Sequence, residues 1–134
     1  MAAGARIRAV VCPVLVAGAA TAVFAPALRA FLHADDFCHC FDAMNRSLPG
    51  FAVQPWGGHV YLFRNALLWC LVHAFGMETR GYFTAILFAH ALNVVLLHRV
   101  LRRYGAAPAL ACLAAAAWGT SPLLAGTLGW IAAL

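Results

Sequence analysis

Long apolar runs without a charge alternate with short clusters of arginine along this chain. The first run covers residues 9–28 and lies between Arg8 and Arg29. A helix of about 20 residues rises about 30 Å, the thickness of the hydrocarbon core of a bilayer. Two further runs, residues 81–98 and residues 106–121, are also uncharged. The pattern predicts three membrane-spanning helices.

The stretch between the first two runs, residues 57–77, is apolar but is interrupted by polar side chains, among them His59 and Arg64. Its longest uncharged part is too short to cross a bilayer and is more typical of a helix at the membrane surface. If this stretch does not cross, Arg6 and Arg8 before the first run lie on the cytoplasmic side together with the cluster Arg99, Arg102 and Arg103 after the second, as the positive-inside rule favours. Residues 33–80 are therefore predicted to form an outer loop with short surface helices.

These features predict an all-α fold: a multi-span transmembrane helical bundle in the cell membrane, with a cytoplasmic N-terminus. A bacterial inner membrane is the expected location. Residues 123–134 begin a further apolar segment, so the chain is expected to be the N-terminal portion of a larger protein. A cleaved signal peptide is the alternative for the first run, but the run is long and Pro26 lies at the small-residue site, which favours a retained anchor.

The composition supports a lipid environment. Hydrophobic residues make up 65% of the chain and charged residues 10%, whereas soluble domains have about 45–50% and about 25%. The net charge is +5, and every basic residue is an arginine. The arginines stand at the ends of apolar runs and form no basic face interleaved with aromatic residues, so nucleic acid is not an expected partner.

Two adjacent carboxylates, Asp35 and Asp36, follow the first run directly. Like charges held this close raise one another's pKa, which suits a general base or a site for a cation. The alternative is a solvated loop in which one of the two caps the next helix.

A cluster of possible metal ligands surrounds this pair. No second Cys/His pair follows nearby, and the Cys-x-Cys spacing is shorter than that of usual zinc sites, so no metal site is predicted, although a metal-binding membrane protein stays an alternative. The five cysteines are an odd number, which argues against a disulfide framework, and those within apolar runs are expected to behave as small hydrophobic residues. The cluster consists of His33, Asp35, Asp36, Cys38, His39 and Cys40.

Within the second run, His90 and Asn93 lie three residues apart and therefore share one face of a helix. Polar groups in lipid usually turn inward and bond neighbouring helices. We expect both side chains to have this packing role.

The order of motifs resembles a known family. After the first run come "ADDF", then "QPWGGHVYLFRNALLWCLVHAFGMETRGYF", then "HALNVVLLHRVLRRYG" and finally "SPLLAGTLGWIA". This order looks like the N-terminal part of a GT-C superfamily membrane glycosyltransferase, the group that includes protein O-mannosyltransferases and lipid A aminoarabinose transferases. Members have an acidic motif in the first outer loop and juxtamembrane helices that end in a Phe-Gly element, here Phe75-Gly76.

The resemblance implies a sugar donor on polyprenyl phosphate, in addition to the lipid bilayer, as a partner. It makes Asp35 or Asp36 the base that deprotonates the acceptor, or a residue that helps to hold a divalent cation at the donor phosphate. It also places His59 and Arg64 at the phosphate. Family members have many more spans, so the isolated chain is expected to be inactive and to need the rest of a split or truncated transferase. A small multi-span protein with a structural or partner-binding role is the alternative.

Overall fold

A computed structural model describes the backbone of residues 2–131 and the side chains of residues 11–131. The described part is mostly helical, as the sequence predicts, with 77% helix and 3% strand. Arg6 and Arg8, the predicted cytoplasmic anchors, have side chains outside the described part. The α-helices of this part are α1 (Ala2–Phe24), α2 (Asp36–Asn45), α3 (Leu48–Ala52), α4 (Leu62–Phe75), α5 (Thr79–Arg103), α6 (Pro108–Gly119) and α7 (Ala125–Leu128).

Two helical segments of the described chain, Val11–Arg29 and Thr79–Arg103, are long and apolar enough to cross a membrane. A third segment meets the same test only as a bent pair, Pro108–Gly119 with Pro122–Leu128, whose axes differ by 43°. All three lie where the uncharged runs predict helices. The further segment expected over residues 123–134 extends past residue 131, beyond the described part of the chain.

Prolines mark three of the changes in helix geometry. Pro13 lies inside α1, where it removes one backbone donor. Pro26 lies in the 3-10 turn Ala25–Arg29 that follows α1. Pro122 follows the end of α6, where Ser121 Oγ accepts a hydrogen bond from the Leu123 amide at 3.4 Å. The bend between α6 and α7 therefore lies where Pro122 provides no amide donor.

Helices α1, α5 and α6 pack against one another, with α1 and α6 running in the same direction and α5 in the opposite one. Their contact is built from small side chains, Ala17, Ala20 and Ala115, around Val94. A Cβ atom added to Gly119 would lie 2.7 Å from Cγ2 of Val94 and 3.1 Å from Cβ of Ala20. Small residues let the helix backbones approach closely, which is typical of helix packing in lipid.

The described cysteines correct one expectation. The structure joins Cys12 of α1 to Cys112 of α6 in a disulfide, with the Cα atoms 6.8 Å apart and a sequence separation of 100. We expected both to be free hydrophobic residues, because sequence spacing does not show which helices become neighbours. Cys38, Cys40 and Cys70 are free thiols.

The prediction for the polar pair in α5 is right for one residue only. His90 is buried and its Nε2 lies 2.9 Å from the carbonyl oxygen of Gly119 in α6. Asn93 is exposed on the surface of α5 and does not turn inward. The three-residue spacing turns Asn93 about 60° away from His90 around the helix, which is enough to leave the narrow contact with α6.

The segment between α1 and α5 forms a small layer at the end of the bundle where α1 ends and α5 begins. Within it, α4 packs against α2 and α3, and a short antiparallel hairpin joins α3 to α4. The hairpin strands are β1 (Pro55–Trp56) and β2 (His59–Val60), and the sequence analysis did not predict them. Gly57 and Gly58 form the two-residue turn, both with positive φ, as tight hairpin turns require.

One apolar core joins this layer to the bundle. It includes Phe51 from α3, Leu68 from α4, Tyr82 and Phe83 from α5 and Leu128 from α7. The layer therefore has a fixed position on the bundle, and the polar side chains of α2 and α4 are held at that end of the helices.

Candidate functional site

The acidic pair lies at a sharp turn between α1 and α2. Asp36 is the first residue of α2, and its side chain is fully buried. Its Oδ2 accepts a hydrogen bond from the His33 amide at 3.2 Å and lies 3.5 Å from His33 Nδ1. Ala34, between them, has φ +50, a left-handed conformation that costs a non-glycine residue about 1–2 kcal/mol. This strained turn directs Asp36 into the protein.

Asp35 has a different environment from its neighbour. It stands at the N-cap position of α2 and is half-buried, but its side chain makes no capping hydrogen bond. Its backbone carbonyl accepts the amide of His39 at 2.9 Å, which starts the helix. The capping alternative is therefore not met by the Asp35 side chain. Of the two carboxylates, Asp36 is fixed in the protein and Asp35 is accessible.

The second part of the site is formed by α4. Arg64 and Asn65 are neighbours near the start of this helix. Arg64 Nη1 donates to Asn65 Oδ1 at 2.9 Å. Asn65 is buried, and its Nδ2 lies within 3.3 Å of the carbonyl oxygens of Phe51, Ala52 and Gln54. One amide side chain thus connects the arginine to the end of α3 and to Gln54 after it, and this fixes the direction in which Arg64 leaves the helix.

His39 is a residue of α2, and its side chain packs against α4 and the hairpin. It is 2% exposed, and its Nδ1 lies 3.3 Å from Arg64 Nη1. Its ring centroid lies 4.1 Å from that of Trp56 on β1. Nε2 is buried and has no hydrogen-bond partner among the described residues. An arginine only donates hydrogen bonds, so the contact requires that Nδ1 of His39 carries no proton.

The charges of the site agree with this assignment. Burial lowers the pKa of His39, and the positive charge of Arg64 lowers it further, while Asp35, Asp36 and Asp42 oppose the shift. Burial also lowers the pKa of Arg64, and the negative charges of Asp36 and Asp35 oppose that shift. Arg64 still keeps its charge, because an arginine is protonated at any physiological pH. The site therefore holds a half-buried cation near carboxylates, beside a neutral imidazole.

The structure brings together three of the four residues that the sequence singled out. Asp35, Asp36 and Arg64 interact electrostatically at the start of α2 and α4. His59 is different: it is exposed on β2, and its ring lies 6.0 Å from that of Tyr61. No contact of the described residues joins His59 to the acidic pair.

The metal-binding alternative finds no geometric support. Among the described residues, no three His, Cys, Asp or Glu side chains are grouped so that they could hold a metal ion. Cys38 is exposed, whereas Cys40 is buried, because successive helical positions point in different directions. Burial raises the pKa of the Cys40 thiol, and a nearby Tyr82 hydroxyl opposes the shift. A protonated, buried thiol is a poor metal ligand.

The Phe-Gly element ends α4. Gly76 has φ +56, and its carbonyl oxygen accepts a hydrogen bond from the hydroxyl of Tyr82. The Phe75 ring lies against Gly81, where an added Cβ would fall 2.3 Å from a ring atom. A tight turn therefore connects α4 to α5, and both glycines are needed for it.

An open groove of about 560 Å³ lies outside this turn, and its lining is mainly apolar. Helix α2 contributes most of it and is unusual, because its polar Asp36 and His39 face inward while Phe37 and Phe41 face outward. The lining residues are Phe37, Cys38, Phe41, Asp42, Met44 and Met77.

Sequence analysis missed Asn65 as a site residue and considered His39 only as a metal ligand. The signal for Asn65 was present: a polar residue directly after Arg64 in an otherwise apolar helix. Buried polar groups need hydrogen-bond partners, so a single amide in an apolar helix indicates a fixed contact. Its partners lie 11 to 14 residues away in a segment without a regular pattern, and the sequence does not identify them.

Comparisons of this chain with models of known protein families, with curated proteins and with solved structures find no match.

Proposed function

We propose that this chain is the N-terminal membrane segment of a glycosyltransferase that transfers a sugar from a polyprenyl-phosphate donor at the outer face of the cell membrane. In this proposal α1, α5 and the bent α6–α7 pair cross the bilayer, the N-terminus is cytoplasmic, and the layer of α2 to α4 lies outside. The acceptor hydroxyl and further membrane helices come from outside this chain.

One observation carries the proposal: an accessible carboxylate stands next to a buried one, beside an arginine. Asp36 is fully buried and bonded to the His33 amide, whereas Asp35 makes no side-chain hydrogen bond among the described residues. The strained turn at Ala34 supports a functional role, because such strain is often kept where a side chain must be held in a special position. In this proposal the membrane surrounds the apolar helices so that these residues are at the depth of a lipid phosphate.

This arrangement divides the reaction between four side chains. Asp35 takes the proton from the acceptor hydroxyl as the oxygen of that hydroxyl attacks the anomeric carbon of the sugar. The bond between that carbon and the phosphate oxygen breaks, and polyprenyl phosphate leaves with the electron pair. Arg64 binds the phosphate, since a guanidinium offers a fork of donors to it, and Asp36 positions the turn that carries Asp35. His59, on the exposed hairpin, meets the donor headgroup at its edge.

The test uses the full-length protein that contains this segment, reconstituted in vesicles with a radiolabelled polyprenyl-phosphate sugar. Asp35→Asn is expected to reduce sugar transfer by about 10²- to 10⁴-fold, the usual contribution of a general base. Crosslinking of a photoactivatable polyprenyl phosphodiester should stay unchanged, because this substitution removes only a proton acceptor. Asp36→Asn is expected to reduce both transfer and crosslinking, since it alters the turn.

Asp42→Asn is the matched control, because Asp42 is a carboxylate of the same helix whose Oδ2 accepts from Gln54 Nε2 at 2.7 Å, away from the turn. Its transfer rate should stay within about twofold of the wild type. If Asp35→Asn transferred sugar at the wild-type rate, Asp35 would not be the general base. Wild-type transfer by both Asp35→Asn and Asp36→Asn would end the glycosyltransferase proposal.

A further inference from the structure

Three features of the site have no role in the proposed reaction: the burial of His39, its contact with Arg64 and its unpartnered Nε2. His39 is almost fully buried, although a histidine of a surface layer is usually in contact with water. A buried polar atom without a partner costs about 1–3 kcal/mol, so such a residue is kept for a reason. The charged neighbours of His39 are an arginine of α4, two carboxylates at the start of α2 and one carboxylate in the second turn of α2. They are Arg64, Asp35, Asp36 and Asp42.

We propose that His39 is a positioning residue for Arg64, which its neutral imidazole holds ready for an anionic phosphodiester. This inference rests on the proposed function and assigns a second role to a residue of the same site. Nη1 of Arg64 has two protons, and the structure places one acceptor for each: Asn65 Oδ1 at 2.9 Å and His39 Nδ1 at 3.3 Å. Two acceptors on one nitrogen fix the plane of the guanidinium.

The arrangement works in one protonation state only. In neutral His39 the proton is on Nε2 and Nδ1 accepts from Arg64. Protonation puts a second N–H on Nδ1, which then faces Nη1 of Arg64, so two donors and two positive charges meet at 3.3 Å. Arg64 must then leave this position. Burial and Arg64 both lower the pKa of His39, and the three carboxylates oppose them, so the change is expected at a pH below 6.5, the ordinary pKa of a histidine.

Trp56 supports the same conclusion. Its ring centroid lies 4.1 Å from that of His39, and the two ring planes differ by 52°, so the hairpin packs against the imidazole. Asn65 bonds to Arg64 and also to the carbonyl groups of Phe51 in α3 and of Gln54 after it. His39 and Arg64 thus each have a further neighbour that holds them.

The first experiment tests the contact without any substrate. In the 134-residue chain with ¹⁵N-labelled histidine in detergent micelles, the Nδ1 of His39 should be unprotonated and Nε2 protonated at pH 7. His39 should also stay neutral to a pH below 6.5, the ordinary pKa of a histidine. Arg64→Gln should move the His39 titration to higher pH, because it removes a positive charge. A His39 that carries its proton on Nδ1 at pH 7, or whose pKa is not below the ordinary value, would overturn the inference.

The second experiment tests the consequence for binding. The probe is a photoactivatable polyprenyl phosphodiester, which keeps one negative charge between pH 4.5 and pH 8, so that a change with pH comes from the protein. Crosslinking to the wild-type chain should fall about tenfold as the pH falls through the titration of His39. His39→Asn places an acceptor near the Nδ1 position that cannot be protonated, so its crosslinking should be strong and independent of pH. His39→Gln places its polar group at the Nε2 position and should crosslink about tenfold less at every pH.

His73→Asn is the control, since His73 is an exposed histidine of α4 that stacks on Trp69 with ring centroids 3.7 Å apart. It should keep the wild-type profile. A pH-dependent profile in His39→Asn, or a flat one in the wild type, would overturn the role of His39. If no variant binds the probe while the NMR titration shows the His39–Arg64 contact, the proposed function fails and the assigned role fails with it, but the contact stands.

Discussion

Nε2 of His90 lies 2.9 Å from the carbonyl oxygen of Gly119, at the point where α6 ends before Pro122. In a continuous helix this carbonyl would accept the amide of residue 123, but that amide bonds to Ser121 Oγ instead. A carbonyl oxygen only accepts, so the proton of the His90 contact is on Nε2. The ring lies between Phe24 and Trp118, each with its centroid 5.5 Å away. His90 therefore takes over a hydrogen bond that the bend in the chain leaves unmade.

His90→Leu is expected to destabilise the bundle by about 1–2 kcal/mol, because it leaves the Gly119 carbonyl without a partner in an apolar contact. His90→Gln should recover part of the loss, since its amide nitrogen reaches a position close to that of Nε2. Reversible unfolding of the chain in mixed micelles measures both. Asn93→Leu is the control on the exposed side of α5, and its stability should stay within about 0.5 kcal/mol. Equal stability of His90→Leu and the wild type would contradict the role of His90.

Gly119→Ala is predicted to destabilise the same contact by about 1–3 kcal/mol, because its Cβ would overlap Cγ2 of Val94. Gly18→Ala in α1 should instead be neutral or stabilising, since no atom lies within 4 Å of its added Cβ and glycine weakens a helix. The double variant Gly119→Ala with Val94→Ala should be more stable than the sum of the two single changes predicts. Additive losses would show that the two side chains do not share this space.

Asn65→Leu should loosen the segment between α3 and α4. The substitution keeps the volume but leaves the carbonyl groups of Phe51 and Gln54 without their donor. Hydrogen exchange of the amides of residues 50–56 should become at least about tenfold faster, while the helix amides of α5 stay protected. Asn45→Leu is the control, because Asn45 is exposed and its side chain bonds only to Phe41 of its own helix. If the exchange rates were unchanged in Asn65→Leu, the hydrogen bonds of Asn65 would contribute little to the stability of this segment.

Topology is tested by labelling with a membrane-impermeant maleimide, in a background in which Cys38 and Cys70, the exposed free thiols, are replaced by serine. Ser47→Cys should react from outside the cell, whereas Tyr104→Cys should react only after permeabilisation. Both positions are exposed in the structure, so a failure to react reports the membrane side. Outside labelling at both would mean that α4 crosses the bilayer and that the outer loop must be redrawn.

The helices were predictable from the sequence because charge-free length is a strong signal. The predicted run over residues 81–98 lies within α5 (Thr79–Arg103), and α4 (Leu62–Phe75) lies within the stretch predicted to be a surface helix. Helix α2 was less visible, because Phe37 and Phe41 face outward and polar residues face inward, which reverses the pattern that an amphipathic helix shows in water.

The contacts of the site were not predictable to the same extent. Asp35, Asp36 and Arg64 stood out because charge is rare in this chain. The contact between His39 and Arg64 joins residues 25 apart in sequence, across a turn and a hairpin whose geometry no local pattern fixes. The position of His59 was not predictable for the same reason, since it depends on a hairpin with the register Trp56↔His59.

The bonds of Asn65 to the carbonyl groups of residues 51 to 54 have a consequence for synthesis. They connect positions 11 to 14 residues apart, so their formation requires no residue after Asn65. At about 5–20 residues per second, Gly119 is synthesised only roughly 3 to 11 s later. The contacts that fix the direction of Arg64 can therefore form while the chain still lacks α6.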